Sequence, residues 1–197
     1  MQRAHPGDAQ GRAEPRAGGQ IGTGAAGEGS LILGAILAGG RSSRFGSDKA
    51  AALLNGRALL AHVRGMVSTY VDEVVVVGRA GGIADLPAPG LGPLGGIAGA
   101  LDHAARTGYA SVLTVGCDMP RLPDDLLAAL LRRPPSYCND APVLGHWPAS
   151  LSSQLLAHIA ACDRRSVQGW ARQIGALPIA APEPLANVNT PDDLMAL

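Results

Sequence analysis

"ILAGGRSSRFGSDKA" spans Ile36 to Ala50, and its reading decides the fold. Its first residues belong to the run "LILGAILA" (31–38), which is short, continuous and apolar. Such a run forms a strand buried on both faces, which requires a sheet covered by helices. The run stops at Gly39 and Gly40, and Arg41, Arg44 and Lys49 follow at once. Two glycines let the backbone turn sharply and approach a ligand, and their N–H groups can then face anionic oxygens. Three cations beside them suit several phosphates. The loop is not a Walker A loop, because Gly46 is followed by Ser-Asp-Lys rather than by Lys and a hydroxyl residue.

Downstream the same alternation continues. "RALLAHVRGMVSTY" (57–70) carries Leu59, Leu60, Val63 and Val67 at helical spacing. "DEVVVVG" (72–78) reads as a second buried strand. Pro93 opens a helix that closes near Gly108, and "ASVLTVGCD" (110–118) reads as a third buried strand. "LPDDLLAALLRR" (122–133) is a helix with acidic residues in its first turn, as the helix dipole favours. The expectation is an α/β domain, mainly parallel in its sheet, with helices on both faces, over residues 30–197. Ligands of such sheets sit beyond the carboxyl ends of the strands. Glycines, cations and carboxylates gather there in this sequence: "GGRSSRFGSDK", then "GRAGG" with Asp85 beyond it, then "CDMP".

Residues 1–29 are rich in Gly, Ala, Arg and Pro and poor in large apolar side chains, so they read as a disordered tail. An upstream start codon is the alternative reading. Gly22, Gly24 and Gly27 spell GxGxxG, but neither a strand before it nor an apolar helix after it is present, so no binding is read into it. The formal net charge is zero and aromatic residues are 3%, which argues against nucleic-acid and anionic-membrane partners. No run reaches the ~20 apolar residues of a membrane span, and no signal-peptide core is present, so a cytoplasmic location is expected. Cys117, Cys138 and Cys162 are odd in number and scattered, unlike a disulfide framework. His158 and Cys162 stand four apart but lack a second ligand pair for zinc.

"LAGGRSSRFGSDKA" (37–50) resembles the signature of molybdenum cofactor guanylyltransferases, which belong to the Rossmann-like nucleotidyltransferases. Leu37, Ala38, Gly39, Gly40, Ser42, Arg44, Gly46, Asp48 and Lys49 all match it. Related cytidylyltransferases tend to carry LAAG here, so Gly40 leans towards a guanine nucleotide. "GPLGGIAGAL" (92–101), "CDMPRLP" (117–123) and "NVNTPDDL" (187–194) resemble further motifs of that family, in the family's order.

The resemblance implies a reaction: a terminal phosphate of molybdopterin attacks the α-phosphate of GTP, and pyrophosphate leaves. GTP and molybdopterin would be the substrates, Mg²⁺ the metal, and apo-molybdoenzymes or their chaperones the partners that receive the product. Nucleotidyl transfer depends on positioning and charge neutralisation, which suits the residues gathered at this edge. Leu37, Ala38, Gly39 and Gly40 are expected to hold the nucleotide, and Lys49 its phosphates as a point charge, with Arg44 assisting. Arg41 falls at a variable position of the motif and reads as solvated. Asp118 closes a strand where Pro120 forces the chain out of the sheet, and is the expected Mg²⁺ ligand. Cys117 reads as a packed thiol. Asp85 stands seven residues before Gly92, where the family keeps a nucleotide-contacting aspartate. It suits two guanine N–H donors, with metal or ribose contact as the alternative.

Asn187 and Asn189 flank Val188 in a strand-like stretch, which puts both amides on one face towards pterin or phosphates. Thr190 and Pro191 then cap a helix. The stretch around His146-Trp147-Pro148 is shorter than the family's acceptor region, and His146 is a weak general-base candidate because a phosphate nucleophile is already ionised. Arg164 and Arg165 could meet the acceptor's phosphate. Two alternatives stand beside this reading. One is a cytidylyl- or guanylyltransferase for another phosphorylated small molecule. The other is a nucleotide-binding accessory protein without catalysis.

Overall fold

The apolar run opening the domain forms strand β1 (Ile32–Leu37). Successive side chains of a strand point to opposite faces, and β1 serves two cores at once. Leu33 and Ala35 join one cluster, Ile36 the other. A computed structural model of the chain describes residues 30–39, 49–162 and 165–195. Gly22, Gly24, Gly27, Gly40, Arg41, Arg44 and Arg164 lie outside those residues.

Beyond a 3-10 turn at Lys49–Ala51, a two-stranded hairpin pairs β2 (Leu53–Leu54) with β3 (Arg57–Ala58). Helix α1 (Leu59–Val67) follows, then strand β4 (Glu73–Val77) and helix α2 (Pro93–Thr107). Strand β5 (Ser111–Gly116) is buried along its whole length and leads to α3 (Asp124–Arg132). Strands β6 (Ser136–Cys138) and β7 (Gly145–Pro148), helices α4 (Ser152–Ala161) and α5 (Val167–Gln173), strand β8 (Leu177–Ile179) and helix α6 (Pro191–Met195) complete the described chain.

Among the described residues, six strands form one sheet in the order β4-β1-β5-β7-β6-β8. β7 alone of these runs against the others. Helices α2, α4 and α5 pack on the face that Leu33 and Ala35 share with Val112. Helices α1 and α3 cover the other face through Val63, Val67, Leu126, Leu127 and Leu130 against Ile36, Leu113 and Val115. The expected α/β architecture with helices on both faces is what the chain forms.

Two strand readings need correction. "DEVVVVG" is an edge strand, and only Val77 of β4 is buried. An all-valine run does not distinguish an edge from a centre, because Val74 and Val75 still pack against the two cores while staying only half-buried. "ANVN" forms no strand among the described residues, since one backbone bond (Val188 N–H to Asp118 O, 2.9 Å) ties it to the sheet's end. The alternation itself survives: Val188 is fully buried between two exposed asparagines. Among the described residues, no helix is long and apolar enough to cross a membrane.

Candidate active site

Three strands end together. The N–H of Ala38 donates to Val77 O at 3.0 Å, and that of Cys117 donates to Leu37 O at 3.1 Å. These two bonds extend the parallel ladder past β1 on both sides, so β1 ends between the ends of β4 and β5. Beyond it, Gly39 and Gly78 press backbone against backbone. A Cβ on Gly78 would stand 2.6 Å from Gly39 Cα, and Gly78 has φ +80°, so the position excludes a side chain twice over. The same Cβ would stand 3.2 Å from Asp85 Oδ1. Asp85 also packs on the first turn of α2, where a Cβ on Gly96 would lie 3.6 Å from its Oδ1, and in the second turn a Cβ on Gly99 would lie only 2.1 Å from Ala84 O. Small residues in α2 therefore let the 83–86 loop lie flat and carry the Asp85 carboxylate to the ends of β1 and β4.

A second grouping forms at the end of β5. Asp118 stands two residues past the strand, anchored by the buried Met119 and by the bond from Val188 N–H to its own carbonyl. Its Oδ2 meets Lys49 Nζ at 3.0 Å, with the two side chains 12% (Lys49) and 26% (Asp118) exposed. The same Lys49 nitrogen donates to Asn189 Oδ1 at 3.0 Å. Lys49 is the only lysine of the sequence; every other basic side chain apart from histidine is an arginine. Val188 is the reason Asn189 is there: it packs with Leu54 and Leu59, so the hairpin and the start of α1 hold the C-terminal segment against the sheet edge.

Beyond Asn189 a capping box opens α6. Thr190 Oγ1 accepts from Asp193 N–H at 3.3 Å, while Asp193 Oδ2 accepts the N–H groups of Asn189 (2.7 Å) and Thr190 (2.8 Å). Those backbone donors, first Asn189's and then Thr190's, hold the Asp193 carboxyl below its usual range, with Lys49's charge adding to the effect.

Lys49, Asp118 and Asn189 are thus brought together, while Leu37, Ala38, Gly39 and Asp85 form the neighbouring part of the rim. Asn187 is exposed and hydrogen-bonds none of the described residues. His146 lies away from the rim. It is buried in β7 opposite Leu113, and its ring bonds Ser111 Oγ (2.8 Å) and Leu130 O (3.3 Å) near the opposite end of β5. It cannot serve as a base at the strand ends. Cys162 Sγ lies 3.6 Å from His158 Nδ1, and no group of three or more metal-ligating side chains exists among the described residues. Asp193 and the β2–β3 hairpin carry weight that the motif reading does not assign. Both had signals: T-x-x-D in "TPDD" is a capping-box spacing, and Asn55-Gly56 is the strongest short hairpin turn.

Comparison with known proteins shows the family and the fold. A family model described as the MobA-like NTP transferase domain matches residues 34–177. A molybdenum cofactor guanylyltransferase of Rhizobium leguminosarum bv. trifolii is 36% identical over 189 residues, covering 84% of this chain and 90% of that protein. The crystal structure of molybdopterin-guanine dinucleotide biosynthesis protein A from Archaeoglobus fulgidus superposes with a TM-score of 0.65 at 23% identity, covering 83% of this chain and 95% of that one. A Mycobacterium tuberculosis protein solved in complex with manganese shares the fold at a TM-score of 0.55 and 16% identity, covering 85% of this chain and 97% of that one.

Proposed function

The chain belongs to the MobA-like NTP transferase family, and on that premise we propose that it transfers GMP from GTP to the terminal phosphate of molybdopterin. The products are the guanine dinucleotide form of the cofactor and pyrophosphate. A terminal phosphate oxygen of the acceptor bonds to the α-phosphorus, the bond from that phosphorus to the β-phosphate oxygen breaks, and pyrophosphate leaves. The observation that carries the reading is the Lys49–Asp118 pair at the carboxyl edge of the sheet, in the place where such folds hold their ligands.

The residues divide the work. Lys49 meets phosphate oxygens with the third of its ammonium donors, since two are taken by Asp118 and Asn189. Gly39 admits the nucleotide close to the backbone, next to Leu37 and Ala38. Asp85 accepts two N–H donors of guanine at the strand ends. Gly40 and Arg44 complete the phosphate loop in this reading, and Asn187 faces the acceptor side. The acceptor phosphate is already ionised, so no general base is required and a buried His146 costs nothing.

A divalent ion, Mg²⁺ in our reading, fits Asp118. The carboxylate is a hard oxygen donor, partly open to solvent, and among the described residues only its Oδ2 is engaged, by Lys49. A single protein carboxylate suffices for an ion that keeps waters and binds substrate phosphates. When bound there, the ion supplies charge neutralisation for the departing pyrophosphate.

The test is pyrophosphate release by the full-length chain with molybdopterin, Mg²⁺ and one nucleotide at a time. GTP should be used far faster than CTP or ATP. Equal use of CTP, or release that does not depend on the acceptor, would overturn the assignment.

A further inference from the structure

We propose that Asp193 is a positioning residue of this reaction: it fixes the backbone of Asn189, and through it the oxygen that sets the ammonium of Lys49. The inference rests on the function proposed above and gives a role to a residue of the 187–194 stretch that this reading leaves without one.

A lysine side chain has four rotatable bonds and loses ~2 kcal/mol of rotamer freedom when held. Lys49 is held by two oxygens, one from each of two distant segments. Asp118 is itself anchored by the end of β5. Asn189 is exposed, so its side chain is only as fixed as the backbone beneath it. That backbone is pinned on one side by buried Val188 and on the other by Asp193, whose single Oδ2 takes the N–H groups of both Asn189 and Thr190. Asn187, two residues earlier, has no such brace and meets no described partner. A neutral amide has a further use here. It keeps hold of the lysine nitrogen without spending the charge that phosphate requires, and it does so even when Asp118 turns to a metal ion.

The rival explanation is that Asp193 merely caps a short helix. Lys49 being the sole lysine separates the two, because an amine-acetylating reagent then reports on one side chain besides the α-amino group. Acetylation rates, normalised to the α-amine and read by mass spectrometry, should rise about fivefold in full-length Asp193→Ala and stay at the wild-type value in Asp72→Ala. Asp72 is a matched control: it too accepts a backbone N–H, that of Ile32 at 2.7 Å, but at the opposite end of β1. Asp193→Glu should restore the wild-type rate, because glutamate suits this capping-box position. Turnover supplies the second readout. Asp193→Ala should lower kcat/KM for GTP roughly tenfold in the wild-type background and leave it within about twofold in a Lys49→Ala background.

Unchanged acetylation in Asp193→Ala, or a rise as large in Asp72→Ala, would overturn the proposal. So would an equal loss of turnover with and without Lys49. A wild-type chain that turns over no GTP would instead count against the functional reading, and the acetylation result would still decide this one.

Discussion

Lys49 and Asp118 meet at 3.0 Å although 69 residues separate them in sequence. The end of β5 and the 3-10 turn at Lys49–Ala51 must both be in place for the pair to exist, so it reports the assembled rim. Removing either partner should therefore cost turnover far more than stability. Both groups keep contact with solvent, so the stability loss should be about 1 kcal/mol. In the proposed roles, loss of the ammonium that meets the phosphates, or of the carboxylate that would hold the metal ion, should lower kcat about 100-fold or more. Lys49→Ala and Asp118→Ala, compared by urea titration and by pyrophosphate release, check both halves. Lys49→Arg should do no better than alanine, because a planar guanidinium fork cannot sit as a compact charge between Asp118 Oδ2 and Asn189 Oδ1.

The approach of Gly39 to Gly78 makes a second prediction. Alanine at Gly78 must adopt φ +80° and place its Cβ 2.6 Å from Gly39 Cα, a backbone atom that cannot swing aside. Gly81 has nearly the same backbone, φ +78°, with nothing within 4 Å of its Cβ position. Gly81→Ala should cost about 1 kcal/mol from φ alone, whereas Gly78→Ala should cost roughly 3 kcal/mol and also weaken GTP binding. Urea unfolding and calorimetry on the pair check this. Equal costs would show that the ends of β1 and β4 do not need their contact.

Much of this rim is legible in the sequence, for reasons that differ by residue. β1, β5 and α2 announce themselves because full burial forces continuous apolar runs and Pro93 with Gly108 marks both ends of the helix. Lys49 and Asp118 stand out because each follows a buried strand directly or by a short loop. β7 was hidden. Four residues, Gly145–Pro148, carry a histidine that reads as a weak general-base candidate, and only the pairing with β5 reveals that its ring is buried between sheet and α3. Trp147 was equally opaque. Its indole N–H donates to Thr114 Oγ1 at 2.9 Å and its ring centroid lies 4.9 Å from that of Trp170, contacts between residues distant in sequence that leave no local pattern. Asn187 and Asn189 look equivalent by alternation, and the difference between them arises from Lys49 and Asp193, which alternation does not contain.

Asp85 should govern the choice of base. Its carboxylate has two oxygens for the two adjacent N–H donors of guanine, whereas an amide there offers one oxygen and a competing donor. Asp85→Asn should reduce kcat/KM for GTP by about 10- to 100-fold. Inosine triphosphate lacks the exocyclic amine. The wild-type chain should prefer GTP to it, and the variant should lose that preference. If Asp85 served a metal or the ribose, GTP and inosine triphosphate would fall together.

His146 predicts a pH dependence of stability that has nothing to do with catalysis. Burial pushes its imidazole below its ordinary value near 6.5, and the Leu130 carbonyl opposes this only in part. A carbonyl can only accept, so Nδ1 donates to Leu130 O and Nε2 accepts from the Ser111 hydroxyl. Protonating Nε2 would set a donor against a hydroxyl that must then turn away, and would place a charge in a buried site. The unfolded chain therefore takes up this proton more readily than the folded one. Stability from this group is complete above the unfolded value and declines as pH falls below it, towards the lower folded value. Urea unfolding at about pH 7.5 and about pH 5.5 should show a loss in the wild type that is smaller in His146→Gln, whose amide can both donate and accept but does not titrate. A variant that loses as much stability as the wild type over this interval would mean that His146 takes up its proton equally in both states.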